Sequence, residues 1–187
     1  MTSIRRKYSY EEYNNNYVSL YDEESEKIKS YLSKIKFHIY HFGSTSIPGV
    51  GGKGVIDIYI SSSLDDIDSI SDKLLNNGYE FRKSGGDKDT KFYQREFEDR
   101  RYHVHLTSFN NKRLIEAIAF RDFLTENPLV AQQYSLIKKE ASTSALKMHT
   151  KEEMKKVYMM TKTPFFEKVR RDLEAYIMLN KDKYINI

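Results

Sequence analysis

The chain has no cysteine among its 187 residues, which excludes disulfides and thiolate metal sites outright. No apolar run approaches the roughly 20 residues that a membrane-spanning helix needs. The N-terminal stretch MTSIRRKYSYEEYNNNY has no apolar core of the kind a secretory signal requires. A cytoplasmic protein with no membrane partner is therefore expected. Charge of neither sign dominates: 31 Lys and Arg stand against 27 Asp and Glu, for a net charge of +4. Bases gather after Lys138, but Glu140, Glu152, Glu153 and Glu167 are interspersed among them. That mixture reads as solvated helix surface, so nucleic acid is not the expected partner. Repeats, low-complexity linkers and composition breaks are all missing. With 39% hydrophobic and 31% charged residues, 1–187 reads as one folded domain.

Periodicity divides the chain into two kinds of segment. Residues 10–36 predict one or two helices with Tyr17, Leu20, Ile28, Tyr31, Leu32 and Ile35 on one face. Strands are expected over 37–42 and 55–60, the second with Ile56, Ile58 and Ile60 alternating. A helix over 63–77 would bury Leu64, Ile67, Ile70, Leu74 and Leu75 and stop at Gly78. A strand near 79–82 precedes SGGDKDT, a hairpin or mobile loop. Strands over 91–97 and 102–107 would then turn at Glu98-Asp99-Arg100. The remainder is helical: 113–126, a helix opened by Pro128 with Val130, Tyr134, Ile137 and Ala141 inward, and a capping box at Thr150. Thr163-Pro164 would open a last helix with Phe166, Val169, Leu173 and Ile177 inward. The pattern is α+β, a small mixed sheet with helices on one face and a helical C-terminal third.

Chemistry concentrates in residues 41–60, HFGSTSIPGVGGKGVIDIYI. A strand runs into Gly43-Ser44, a loop rich in glycine follows, and the next strand carries Asp57. Glycines let backbone N–H groups approach an anion, and Ser44 adds a hydroxyl donor. Lys53 is the local cation for a phosphate. If Ile56, Ile58 and Ile60 face the core, Asp57 and Tyr59 point the other way. By the same alternation Val104 and Leu106 send His103 and His105 to the face opposite the core. If the two strands are neighbours, Asp57, His103 and His105 share a face. Such a set suits a divalent metal (Mg, Mn or Zn as cofactor), the imidazoles favouring Mn, Fe, Zn or Ni over Mg. Alternatively, one histidine is a general base and the other binds phosphate. The plain readings are a solvated Asp57, a chance His-x-His, and a glycine loop that only meets turn geometry. His41 is expected to orient the loop or to be a hydrogen-bonded core histidine.

The blocks HFGSTSIPGV, GGKGVIDIYI, YHVHL and AFRDFLTENPLVAQQYSLIKKEAS resemble the GrpB family, which is similar to nucleotidyltransferases. The resemblance spans roughly residues 37 to 170. It includes Lys138, Tyr158 and Lys162 as well as the segments above. It implies a nucleotidyltransferase-like mixed β-sheet flanked by helices. It also implies phosphate binding at Gly43 and Ser44, with Lys162 completing the phosphate site from the C-terminal helices. Tyr59 stands where nucleotidyltransferases carry a second acid. In the expected function, a nucleotidyltransferase-like enzyme acts on a nucleotide or phosphorylated small molecule, with Asp57, His103 and His105 as catalytic and metal-binding residues. The alternative is a non-catalytic nucleotide- or phosphate-binding module. Arg121-Asp122 is expected to buttress the sheet through an ion pair.

Overall fold

The computed structural model describes residues 7–97, 100–185 and 187. Its sheet has five strands: β1 (Phe37–Phe42), β2 (Val55–Ser62), β3 (Glu80–Phe81), β4 (Thr90–Phe97) and β5 (Arg100–Ser108). Their spatial order is β1-β2-β5-β4-β3, with β2 and β5 parallel and every other pair antiparallel. The β2–β5 pairing was the condition for a shared polar face. It sets Asp57 opposite His103 and Tyr59 opposite His105. The expected turn between β4 and β5 falls at Glu98 and Asp99, outside the described residues.

Helices flank both faces of the sheet rather than one. Helix α1 (Asn16–Tyr31) and helix α2 (Ile67–Asn76) cover the face of Ile56, Ile58, Ile60, Val104 and Leu106, through Ile28, Ile70 and Leu74. Helix α3 (Lys112–Glu126) packs Leu114, Ile118 and Ala119 against Tyr59, Tyr40 and Phe42 on the opposite face. Alternation along β1 explains this second layer, because Tyr40 and Phe42 make that face apolar near its edge. Beyond α3 lie α4 (Pro128–Ala145) and α5 (Lys151–Leu179), with Pro128 in the first turn of α4 as expected.

Several local expectations shift. Residues 10–15 are not helical, and Glu11 pairs with Gly52 through two backbone hydrogen bonds of 2.6 and 2.9 Å. The Asn14-Asn15-Asn16 run favours turns over helix, and Asn14 Oδ1 accepts from Asn16 N at 2.9 Å. Leu64 is 79% exposed because residues 64–66 form a separate 3₁₀ turn, out of phase with α2. Leu75 is exposed too, whereas Gly78 does end the helix region at φ 83°. Pro164 does not open a helix; it lies inside the 29-residue α5. Met154 and Tyr158 before it, and Phe165 and Val169 after it, are all buried, so tertiary packing on both sides outweighs the lost backbone hydrogen bond. Phe165, not Phe166, is the inward residue.

The capping box forms as read: Thr150 Oγ1 accepts from Glu153 N at 3.2 Å, and Glu153 Oε2 accepts from Thr150 N at 3.0 Å. Thr150→Ala should cost about 1 kcal/mol, or roughly 3 °C in melting temperature, by thermal unfolding. No change would mean that α5 is held by packing alone.

Candidate functional site

The glycine loop lies at the junction of the sheet and the C-terminal helices. Ile47 and Val50 anchor it in a cluster with Phe123, Leu124, Tyr134, Phe165 and Val169. Its entry is held from the sheet side. Thr45 Oγ1 donates to Val55 O at 3.0 Å and so accepts from His41 Nε2, also at 3.0 Å. Burial pushes His41 down to about 4; Asp57 opposes that shift and Arg121 adds to it. His41 is thus a neutral core histidine that orients the loop, stacked on Tyr21 at 4.5 Å. Arg121 Nη1 donates to His41 O at 2.8 Å while Nε holds Asp122 at 2.8 Å, the buttressing expected of that pair.

Gly43 has φ 74°, and a Cβ there would overlap Asp57 Oδ2. Only glycine lets the carboxylate lie against the turn. Asp57 Oδ1 takes His103 Nδ1 at 3.2 Å. Burial pushes the Asp57 carboxyl up, but the His103 hydrogen bond and the charges of His103, His105 and Lys138 outweigh it and hold the group below its ordinary value.

Around this pair lies a cleft of about 310 Å³ lined by Gly43, Ser44, Lys53, Asp57, Lys138 and Lys162, with Tyr8, Tyr134 and Tyr158 as walls. Lys138 is 5% exposed, and a Cβ on Gly52 would meet both its Nζ and Ser44 Oγ. Lys53 Nζ lies 4.9 Å from the Tyr158 ring centre, Lys162 Nζ 4.8 Å from the same ring, and Lys138 Nζ 5.3 Å from Tyr134. Burial lowers Lys138 to about 7 and Lys162 to about 8, with neighbouring ammonium groups adding to the shift and Asp57 opposing it. Lys53 is lowered for the same first reason. Among the described residues none of the three side chains has an ion-pair or hydrogen-bond partner.

Of the expected site residues, Gly43, Ser44, Lys53, Asp57 and Lys162 meet in this cleft, and His103 reaches it through Asp57. His105 does not join them. Its ring is boxed by Phe42, Tyr59 and Phe92 at 5.2, 5.1 and 4.9 Å, and burial lowers it to about 4. A metal held by Asp57, His103 and His105 does not fit this arrangement: among the described residues no three His, Asp or Glu side chains are grouped to hold an ion. Three ammonium groups beside one carboxylate favour an anion instead.

Lys138 lies in the basic run whose composition suggests solvated helix surface, yet it is buried in the cleft. Its spacing held the signal, because it lies four residues after Tyr134 and three before Ala141, on the inward stripe of α4. Tyr8 carries no comparable signal, since it reaches the cleft from an irregular segment.

A mixed sheet carrying a glycine-serine turn and a following aspartate defines a nucleotidyltransferase-like fold. The Cid1 poly(U) polymerase bound to MgATP aligns with a TM-score of 0.52 at 11% identity, over 74% of this chain and 46% of that one, a likeness of fold alone. The family model for GrpB protein matches residues 8–172, and the chain belongs to the GrpB family. The conserved protein GrpB from Enterococcus faecalis superimposes with a TM-score of 0.75 at 27% identity, over 90% of this chain and 99% of that one. UPF0157 protein YqkA of Bacillus subtilis is 30% identical over 129 residues, 68% of this chain but only 38% of that protein's length. Glutamate-rich protein GrpB of Alkalihalophilus pseudofirmus is 29% identical over 66% of this chain and 75% of its own. No helix among the described residues is long and apolar enough to cross a membrane.

Proposed function

We propose that this GrpB chain is a nucleotidyltransferase-like enzyme that takes a nucleotide, or another phosphorylated small molecule, into the lysine-lined cleft. The observation that carries this reading is the convergence of Lys53, Lys138 and Lys162, with no ion-pair or hydrogen-bond partner among the described residues, on one carboxylate already engaged by His103. Burying cations is costly unless a counter-charge arrives, and a polyphosphate supplies one with several acceptor oxygens. Ser44 adds a hydroxyl donor. The ammonium groups would then stabilise negative charge that grows on the transferred phosphoryl group. Asp57 holds His103 by Nδ1, which leaves Nε2 to accept the proton of a hydroxyl that attacks the α-phosphorus of a nucleoside triphosphate, as the α–β anhydride bond breaks and pyrophosphate leaves. A divalent ion enters this reading on the ligand's own phosphates, as part of the substrate.

Calorimetric titration with ATP tests it. Saturable binding is expected, weakened about tenfold by Lys162→Gln, a loss of about 1.4 kcal/mol. Mn²⁺ added alone should give no saturable heat. If neither the four common nucleoside triphosphates nor pyrophosphate binds at millimolar concentration, the proposal is wrong.

A second reading, a non-catalytic nucleotide- or phosphate-binding module, is favoured by Tyr59. That side chain is 4% exposed and lies 4.5 Å from Phe42, so the position of the second acid belongs to the core. Nucleotide binding without turnover in the presence of Mg, Mn or Zn would support this reading over the first.

A further inference from the structure

A second cleft, of about 280 Å³, adjoins the first, and Tyr8, Lys53, Val55 and Lys155 line both. Lys7, Arg95, Arg101 and Lys151 line the second cleft but not the first, Arg95 being engaged by Glu24, and Glu96 is the one carboxylate among its described lining residues. Its cationic walls come from separate parts of the chain: Lys7 precedes the glycine loop, Arg101 lies on β5, and Lys151 and Lys155 lie in the first turns of α5. Arg101 Nη2 donates to Lys53 O, which ties the ridge between the clefts to β5. Phe92 adds an apolar surface, edge-on to His103 at 5.0 Å.

Beside the shared lining residues, the two clefts also meet at a polar pair. Asp57 lines the first and His103 lines the second, and they are bonded to each other across the boundary. Opposite partners on neighbouring parallel strands bring this about, since Asp57 and His103 are register mates. Two pockets of similar size, each with excess positive charge and sharing Lys53 and Lys155 at their boundary, suit two anionic small molecules side by side.

We infer that the second cleft is a separate binding site for an anionic small molecule, a phosphate or carboxylate bearer, seated beside the ligand of the first cleft with its reactive end at the Asp57–His103 pair. This rests on the first cleft holding a phosphorylated ligand, and it assigns the place of the partner in a transfer between two substrates.

The test uses the full chain saturated with α,β-methylene-ATP and titrated with inorganic phosphate, while NMR follows the His103 ring and calorimetry follows binding. Phosphate is expected to bind in the presence of the analogue and to shift the His103 ring resonance saturably. The double variant Lys7→Gln/Lys151→Gln is expected to weaken phosphate about tenfold and to leave the affinity for the analogue unchanged. Exclusion of phosphate by the analogue, or phosphate binding indifferent to the double variant, would overturn the second site and leave the first reading standing. Phosphate binding that depends on Lys7 and Lys151, with no binding of the analogue, would overturn the first reading instead.

Discussion

ATP affinity should fall by about 500-fold between about pH 7 and pH 9, a change set by two lysines whose free-state values lie inside that window. Burial brings Lys138 to about 7 and Lys162 to about 8, and nearby ammonium groups hold them there. Bound phosphate oxygens favour the charged amines and raise both values. Below about 6 both lysines are already protonated, so the ligand meets its full complement of charge. As pH rises through each free-state value, binding must take up a proton, and affinity drops about tenfold per pH unit per lysine. The terminal phosphate of ATP is largely ionised by pH 7, so the ligand does not mask the effect. In Lys138→Met the wave near 7 disappears and that of Lys162 remains. The unliganded protein moves the other way. A lysine whose folded value lies below its unfolded one penalises folding most at low pH, so this pair's contribution to stability improves from pH 7 to 9. A flat affinity profile across that range, measured by calorimetry in buffers matched for ionisation heat, would remove the lysines from the ligand site.

Arg95→Met should destabilise the protein by about 3 kcal/mol, because it leaves a buried carboxylate with too little counter-charge. Glu24 is 1% exposed and sits beneath the sheet face that α1 covers. Its Oε1 accepts from Arg95 Nη1 at 3.0 Å and from the Tyr79 hydroxyl, while Lys27, half in solvent, reaches Oε2 at 3.4 Å. Proximity to this carboxylate, with burial as the larger cause, pushes the Tyr79 phenol well up. Removing the guanidinium leaves only the phenol and a partly exposed lysine. The expected fall in melting temperature is about 10 °C. The double variant Glu24→Leu/Arg95→Met replaces the pair with apolar volume and should recover much of the loss. A single variant within about 1 kcal/mol of the parent would show that Lys27 suffices, and a double variant worse than the single would contradict the desolvation argument.

Part of the candidate cleft was legible from spacing along the chain. Gly43, Ser44, Lys53 and Asp57 lie within one short segment, where spacing in sequence is nearly spacing in space. The period-two alternation of β2 and β5 put Asp57 and His103 on one face, and the parallel register made them partners. His105 shows the limit of that logic. It shares the face with His103, two residues on, yet Phe42, Tyr59 and Phe92 surround it, and these come from three different strands. Lys138 shows the opposite limit. Its helical phase pointed inward, but a lysine on an inward stripe is legible as a ligand group only once Ser44 and Lys162 are known to stand beside it.

Local periodicity and local backbone requirements made the strands, most helices, the cap at Thr150, the first-turn Pro128 and the glycine turn readable from the residues alone. Long-range packing set the rest. It threaded Pro164 through one long helix, gave the sheet a second helical layer, and took His105 out of the site. It also replaced an expected metal triad with three lysines around one carboxylate. Those outcomes depend on which distant surfaces come together, and burial and charge at such junctions belong to the assembled neighbourhood rather than to any one segment.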